Sequence, residues 1–237
     1  MRKITRGLLG SLTTGMVVVL MTASAANAAS GTIMVPSDFE TALSDTRATG
    51  DYEVLGTGLH IWTEGETSTD KVAEYVATST PLADAGEPAL DYANTAGGLP
   101  GFQLVVDFDD DGTADGILVG ETVYDGDWWL NNAADDFVKE GAPSHTGGSG
   151  SANHGTLDQW RAAFPNAHVT AFGFSLGSGV KGDGVLNAID FAGTRYTFAA
   201  DVVLDDKFDC KDGGWETSTA PVFKNQGDCV SSFVSGK

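Results

Sequence analysis

Hydrophobic and polar residues alternate with a period of two in a series of short segments after residue 50. The segments are rich in β-branched and aromatic residues and end at Gly, Asp or Pro, which is typical of strands. They are Tyr52–Leu55, Leu59–Thr63, Val72–Ala77, Phe102–Val106, Ile117–Val123, His168–Phe174, Val185–Phe191 and Thr194–Phe198. Roughly eight to ten such strands, without repeated helical patterns between them, predict an all-β antiparallel sandwich rather than a parallel α/β sheet.

Only short helices fit between these segments. The Thr156–Gln159 segment has capping-box spacing and opens a helix that Pro165 stops. Residues 132–140 place apolar side chains on one side of a short helical turn that Gly141 ends. The Ser37–Glu40 segment has the same capping-box spacing and predicts at most one further short helix.

The first 28 residues have the pattern of a secretory signal peptide. A positively charged start precedes the apolar stretch Gly15–Ala23, and Ala26–Ala28 forms an A-x-A cleavage site. The apolar stretch is too short for a membrane anchor, and no second hydrophobic segment follows it. We therefore expect an exported, extracellular protein without a membrane span.

Composition and charge narrow the function classes. The 237 residues include 13 basic and 33 acidic side chains, for a formal net charge of −20, and 41% are hydrophobic. The hydrophobic content argues against disorder, and the acidity disfavours nucleic acid as a partner while favouring cations. An exported chain with two cysteines favours a Cys210–Cys229 disulfide over a zinc site or a reactive thiol. We divide the chain into a sandwich domain, 29–203, and a small C-terminal module, 204–237.

The segment Asp107–Gly116 is the strongest candidate for binding chemistry. Its carboxylates at positions 1, 3, 5 and 9, with Gly at 6, have the spacing of a loop that wraps calcium. An EF-hand would need Glu at position 12, where Leu118 stands, and flanking helices. An Asp-rich turn without a metal is the alternative, but crowded carboxylates repel one another unless a cation neutralises them. We predict calcium, bound at about 10⁻⁴–10⁻³ M, with these ligands: Asp107, Asp109, Asp111, the Thr113 carbonyl and Asp115.

The pair Trp128–Trp129 is a candidate ligand-binding feature. Adjacent residues of a strand face opposite sides, so we expect one ring in the core and the other available to stack on a sugar, close to the calcium loop. Burial of both rings is the alternative.

The sequence signals for catalysis are weaker than the signal for metal binding. Gly173–Gly177 matches the G-x-S-x-G nucleophile elbow, but in that fold the acid and the histidine follow the serine, whereas all four histidines precede Ser175. We therefore interpret the motif as a strand that runs into a glycine-rich turn. His145 and His154 fit surface positions better than a metal or acid–base role. A glycosidase would need two carboxyls at a separation that sequence does not give; the candidates are Glu64, Glu66, Glu74, Glu87 and Glu121.

Three stretches, Phe102–Trp129, Gly155–Phe198 and Cys210–Val230, resemble known segments. The first two resemble a β-sandwich domain of secreted Gram-positive bacterial proteins with DxDGDGxxDGxLVxE…WW and FSLGSGVxGDGVL segments. The third resembles a small C-terminal module with the pattern CKxGGW…FKNQGxCV. Neither family has an established activity, so the resemblance implies a jelly-roll-like sandwich of the kind found in lectins and transfers no catalytic residue. Asp110 stands where the family pattern has a turn glycine.

These observations favour a secreted, monomeric, calcium-stabilised module that binds extracellular polysaccharide or cell-envelope glycan without catalysis. In that mechanism calcium fixes the loop and an adjacent face with Trp128 or Trp129 meets the ligand. A secreted hydrolase, either a glycosidase or an esterase, and a structural extracellular protein are the alternatives.

Overall fold

The computed structural model describes residues 28–122, 126–144 and 152–235. Within these ranges the chain forms twelve strands and three short α-helices. The strands are β1 (Ala29–Val35), β2 (Asp51–Leu55), β3 (Gly58–Thr63), β4 (Lys71–Pro81), β5 (Ala89–Gly97), β6 (Gly101–Asp107), β7 (Gly116–Gly120), β8 (Asp127–Leu130), β9 (His154–Thr156), β10 (His168–Gly177), β11 (Gly182–Phe191) and β12 (Thr194–Ala200). The helices are α1 (Asp136–Gly141), α2 (Leu157–Ala163) and α3 (Gln226–Ser235). The predicted signal peptide lies outside the described residues, apart from Ala28.

The strands form two six-stranded sheets. Sheet A has the order β1-β12-β11-β3-β2, and β5 pairs with β11 along the edge opposite β3. Sheet B has the order β4-β10-β6-β7-β8-β9. The described strand pairs are antiparallel except β1 with β12, which is parallel. The predicted all-β sandwich is confirmed, with this one parallel pair as the departure.

Alternation of side chains buries one face of each sheet against the other. The large side chains in this interface include Phe172, Phe174 and Leu186, and the ring of Phe172 stacks on Phe191 with centroids 4.4 Å apart. Sheet B also buries part of its opposite face, where a small cluster around Tyr75 packs against Leu43. The central strands of sheet B are therefore buried on both sides, and β6 is buried along its whole length.

All eight predicted strands are present, although several bounds differ. β4 and β10 extend beyond the predicted segments, and β7 ends at Gly120, before the predicted Val123. The predicted segments do not include β1, β5, β8 and β9, although Trp128 and Trp129 of β8 were expected to lie in a strand. β5 has mostly exposed residues, because it forms an edge of sheet A and directs only Leu90 and Tyr92 towards the core. β9 has three residues, too few for a periodic signal.

The predicted helix after Thr156 is confirmed as α2. The Thr156 side chain accepts a hydrogen bond from the Gln159 N–H, and the Gln159 side chain accepts one from the Thr156 N–H, which completes the capping box. Trp160 of α2 is fully buried, and its Nε1 donates to the Trp128 carbonyl at 2.9 Å. The helix expected over 132–140 is shorter and begins at Asp136.

The helix predicted after Ser37 is wrong. The Ser37 N–H and hydroxyl donate to Asp201, and the Glu40 N–H donates to the Tyr75 carbonyl at 2.7 Å. The segment therefore follows the edge of β4 instead of coiling into a helix. Pairing with an open strand edge satisfies the backbone groups that a helix would otherwise have satisfied.

The tail contains the predicted Cys210–Cys229 disulfide, which is confirmed. Both cysteines are fully buried in a separate small cluster with Phe223. The tail is attached to the end of the sandwich by a pair of hydrogen bonds between Val202 and Thr219. Helix α3, which carries Cys229, was not predicted. The division at residue 203 stays a prediction.

Candidate functional site

Three carboxylates converge where β6 passes into β7. Asp107 ends β6, while Asp109 and Asp115 belong to the connecting loop, and one oxygen of each lies within 4.8 Å of the others. Asp107 and Asp115 are buried, whereas Asp109 is exposed. A group of oxygen ligands at this spacing can hold a metal ion.

Backbone hydrogen bonds shape the loop around Asp107. Its carboxylate accepts the N–H groups of Asp110, Asp111 and Gly112 at 2.7, 3.3 and 2.8 Å. Asp110 and Gly112 have positive φ values of 62° and 92°. Glycine adopts such angles without a steric penalty, and Asp is among the few other residues that tolerate them. Asp110 therefore occupies a left-handed turn position of the kind that glycine usually fills.

The loop concentrates negative charge next to a buried carboxyl. Burial raises the pKa of Asp115, and the neighbouring carboxylates Asp109, Asp107 and Asp111 raise it further. A hydrogen bond of 2.7 Å from the Phe108 N–H opposes this shift. The ionised cluster is thus electrostatically unfavourable on its own, and a bound cation would relieve the repulsion.

The other two predicted ligands differ from these three. The Asp111 carboxylate is not part of the three-residue cluster, and it accepts the Thr113 N–H at 2.8 Å. Asp111 and the Thr113 carbonyl stay predicted ligands. The oxygen-only chemistry of the cluster suits a metal ion, and nothing in the loop identifies calcium in particular.

The two tryptophans lie on opposite faces of β8, as predicted, but neither ring is exposed. Trp128 points into the core, where its ring packs edge-on against Phe102 with centroids 5.8 Å apart. Trp129 is half-buried on the other face. In addition, Trp128 pairs with Gly120, at the end of the β6–β7 hairpin away from the metal cluster. The expected adjacency of the tryptophans and the loop is therefore not found.

Trp128 instead forms part of the wall of a cleft of about 360 Å³. The cleft opens where sheet A ends at β5 while sheet B continues to β7 and β8. Its walls are mostly apolar, and they include two acidic residues, Glu121 and Asp127. The described residues around it are Pro88, Ala89, Leu90, Tyr92, Leu99, Pro100, Phe102, Gly120, Glu121, Thr122, Gly126, Asp127 and Trp128. Sequence reasoning did not find this cleft, because β5 reaches it only through pairing with the distant β11.

Glu121 is the one predicted acidic candidate among the described residues of that cleft. Its carboxyl is half-buried, and burial raises its pKa. Glu74, by contrast, is buried elsewhere and accepts hydrogen bonds from the hydroxyls of Ser44 and Thr46.

Asp127 also lines the cleft, but its carboxylate lies on the Trp129 face of β8, where a histidine holds it. The His154 Nδ1 lies 2.8 Å from an Asp127 carboxylate oxygen, and His154 is buried. The surface position expected for His154 is therefore wrong, because β9 pairs with β8 and brings the ring inside. His145 lies outside the described residues.

The G-x-S-x-G motif is part of a strand. Ser175 lies inside β10, paired with Ala73 on one side and Gly101 on the other. β10 continues to Gly177, and the next element is β11. The strand-to-helix turn that a nucleophile elbow requires is therefore missing at Ser175, in agreement with the interpretation from sequence.

No helix within the described residues is long and apolar enough to cross a membrane. Comparisons of the chain with protein-family models, curated proteins and solved structures found no match. The function is therefore inferred from the geometry of the metal cluster and the cleft.

Proposed function

We propose that this protein is a secreted, calcium-stabilised module that binds extracellular glycan or cell-envelope material without catalysis. The observation that carries the proposal is the cleft between β5 and the β7–β8 edge. It combines aromatic and aliphatic walls, including Trp128, with the acidic residue Glu121 at its margin. Sugar rings present apolar faces that pack on such walls and hydroxyl groups that donate to carboxylates.

Calcium is the metal we propose for the Asp107–Asp109–Asp115 cluster. Calcium prefers oxygen ligands, and a loop between two strands accommodates its flexible geometry. The cluster and the cleft lie at opposite ends of the β6–β7 hairpin, separated by the five residue pairs from Val106–Gly116 to Phe102–Gly120. Calcium therefore acts by stabilising the hairpin rather than by touching the ligand.

Export is supported by the signal-like start of the sequence and by the disulfide. Disulfides persist in oxidising compartments and are rare in the cytosol of most organisms. The strongly acidic composition favours solubility and disfavours binding to anionic surfaces.

Glycoside hydrolysis is a second candidate, because two acidic residues, Glu121 and Asp127, line one cleft. Glu121 has a pKa raised by burial, as a general acid requires, and Asp127 is held by His154. This alternative predicts turnover of a bound glycan that Glu121→Gln abolishes. The binding proposal predicts no new reducing ends on any polysaccharide that the protein binds.

Co-sedimentation of the purified protein with insoluble peptidoglycan, cellulose, chitin and starch tests the proposal. We expect saturable binding to one of these polymers in millimolar calcium. In EDTA the bound fraction falls to the extent that the protein unfolds, which circular dichroism of the same samples measures. Absence of binding to all four polymers would contradict the proposal.

Substitutions at two exposed leucines locate the binding surface. Leu99 is 51% exposed at the rim of the cleft, and Leu55 is 58% exposed on β2. We expect Leu99→Ser to weaken binding about three- to tenfold, since it removes apolar contact area without disturbing the core. Leu55→Ser is the matched control and should bind like the wild type. Equal affinities of both variants and the wild type would place the binding surface elsewhere.

A further inference from the structure

A second cleft adjoins the first, and Glu121 lies at the boundary between them. The second cleft has a volume of about 280 Å³ and shares Leu99, Pro100, Glu121 and Thr122 with the first. Its remaining described walls come from the end of β10 and from the half-exposed Val180. The two clefts share this wall and are together called the groove.

The charged side chains among the described residues of the groove are all acidic. Among its described residues, Glu121 and Asp127 are acidic and none is Lys, Arg or His. Asp127 is paired with His154, whereas Glu121 has no hydrogen-bond or ion-pair partner within the described part of the chain. Burial is the sole cause that raises the pKa of Glu121. A half-buried carboxylate without a partner is costly, and a cation that hydrogen-bonds to it offsets that cost.

The backbone fixes the position of this carboxyl group. The Glu121 side chain crosses Gly101, where an added methyl group would lie 2.7 Å from its Cγ and 3.3 Å from its Oε1. Trp128 is seated in the same way on Gly120, where a methyl group would lie 2.9 Å from the indole ring. Gly101 is adjacent to Phe102, the residue that pairs with Gly120, and side chains at adjacent positions point to opposite faces of a sheet. The Glu121 carboxyl therefore lies on the outer face of sheet B, on the side of the second cleft, whereas the Trp128 ring lies on the inner face, on the side of the first.

We propose that the groove selects glycans with a free amine, whose ammonium group pairs with the Glu121 carboxylate. This inference rests on the proposed glycan-binding function and names its ligand class. The apolar face of the amino sugar lies against Leu99, Pro100 and Val180 of the second cleft, while neighbouring rings reach the first. Anionic glycans are disfavoured, because the described walls offer them the Glu121 carboxylate and no basic side chain.

An ammonium group fits Glu121 better than the hydroxyl or acetamide group of a neutral sugar. It supplies both the opposite charge and the hydrogen-bond donors, and charge-assisted hydrogen bonds are about twice as strong as neutral ones. In a partly desolvated site this difference corresponds to a preference of about tenfold or more.

Calorimetric titration with two oligosaccharides of equal length tests the proposal. The probes are the β-1,4-linked hexamer of glucosamine and the corresponding hexamer of N-acetylglucosamine, at mildly acidic pH where the amines are protonated. We expect the amine form to bind about tenfold or more tightly than the acetylated form. Equal affinities would overturn the amine preference and leave glycan binding intact. Failure of both hexamers, together with failure of the four polymers above, would overturn glycan binding itself.

Three variants separate a specific contact from general attraction between an acidic protein and a cationic ligand. Glu121→Gln removes the carboxylate and should abolish the preference for the amine form. Glu216→Gln, at an exposed position of the tail, makes the same change in net charge and should keep the preference. Gly101→Ala displaces the Glu121 carboxyl without changing any charge and should also reduce the preference. Equal loss in Glu121→Gln and Glu216→Gln would refute the assignment to Glu121.

The thermal stability of Glu121→Gln distinguishes a binding role from a structural one. Removal of an unpaired, half-buried charge should leave the melting temperature of the protein unchanged or raise it, while the amine preference is lost. If instead Glu121→Gln melts at a lower temperature and Gly101→Ala keeps the full preference, the carboxyl is structural and the proposal is wrong.

Discussion

Calcium should stabilise the folded protein through the Asp107–Asp109–Asp115 cluster. The carboxylate oxygens of the three residues lie within 4.8 Å of one another, so each ionised pair repels with about 1 kcal/mol even at the dielectric constant of water. Asp107 and Asp115 are buried, and Asp109 makes no hydrogen bond within the described part of the chain. Without calcium the repulsion between the three carboxylates therefore remains, and binding of calcium removes it.

The expected magnitude follows from mass action. Extracellular calcium sites of this kind have dissociation constants of about 10⁻⁴–10⁻³ M. About 5 mM calcium then stabilises the folded state by about 1–2 kcal/mol. For a chain of this length that free energy raises the melting temperature by about 2–8 °C. Magnesium should raise it less, because it demands a stricter octahedral geometry and keeps its water ligands.

Differential scanning fluorimetry in calcium and in EDTA measures this shift. Asp109→Asn removes one cluster charge, so we expect it to lose the calcium response while its melting temperature in EDTA is unchanged or higher. Asp111→Asn should reduce the response less than Asp109→Asn does, because the Asp111 carboxylate lies outside the three-residue cluster. Asp84→Asn, at an exposed position, is the control for net charge and should respond like the wild type. An identical calcium shift in Asp109→Asn and the wild type would refute the assignment.

Two further predictions concern a buried aspartate and the disulfide. Hydrogen bonds from the hydroxyls of Thr49 and Thr67 lower the pKa of Asp70 to about 2. Its contribution to stability is therefore complete above about pH 4 and is lost as the pH falls towards 2. The difference in unfolding free energy between the wild type and Asp70→Asn, measured by urea titration, should shrink over that range. A constant difference would contradict this prediction. The Cys210–Cys229 bond closes a loop with a sequence separation of 19, which corresponds to about 3 kcal/mol. In the double serine variant, hydrogen exchange of the α3 amides should accelerate by about 100-fold while the core strands of sheet B are unaffected, and unchanged α3 protection would show that the tail is held by other contacts.

The parts of the fold that local pattern determines could be predicted from the sequence. Strands such as β3 and β6 bury alternate or consecutive apolar residues, and their composition shows it. The capping box of α2 is a contact between residues three apart, so Thr156 and Gln159 reveal it directly. The Asp107–Asp115 loop likewise has its ligands within nine residues, and three of its five predicted ligands converge.

Features that depend on long-range pairing could not be predicted in this way. The Ser37–Glu40 segment has the local signal of a helix, yet the open edge of β4 offers its backbone better partners, and the edge prevails. β5 shows almost no apolar periodicity, because it is an edge strand with most of its residues exposed. His154 is placed in a buried pair with Asp127 only by the alignment of β9 with β8.

The cleft arises from the same long-range pairing, which explains why Glu121 was one of five equivalent candidates in the sequence. Sheet A ends at β5, but sheet B continues through β7 and β8, so the inner face of sheet B is left partly uncovered at this edge. An uncovered apolar face would normally be a liability in a soluble protein. Here the Glu121 carboxyl lies at its margin without a partner in the described residues, an arrangement that destabilises the fold and has no structural benefit. Unpaired carboxyl groups of this kind are retained at sites where a ligand supplies the missing partner. We therefore propose the groove, rather than the tryptophan pair alone, as the binding surface.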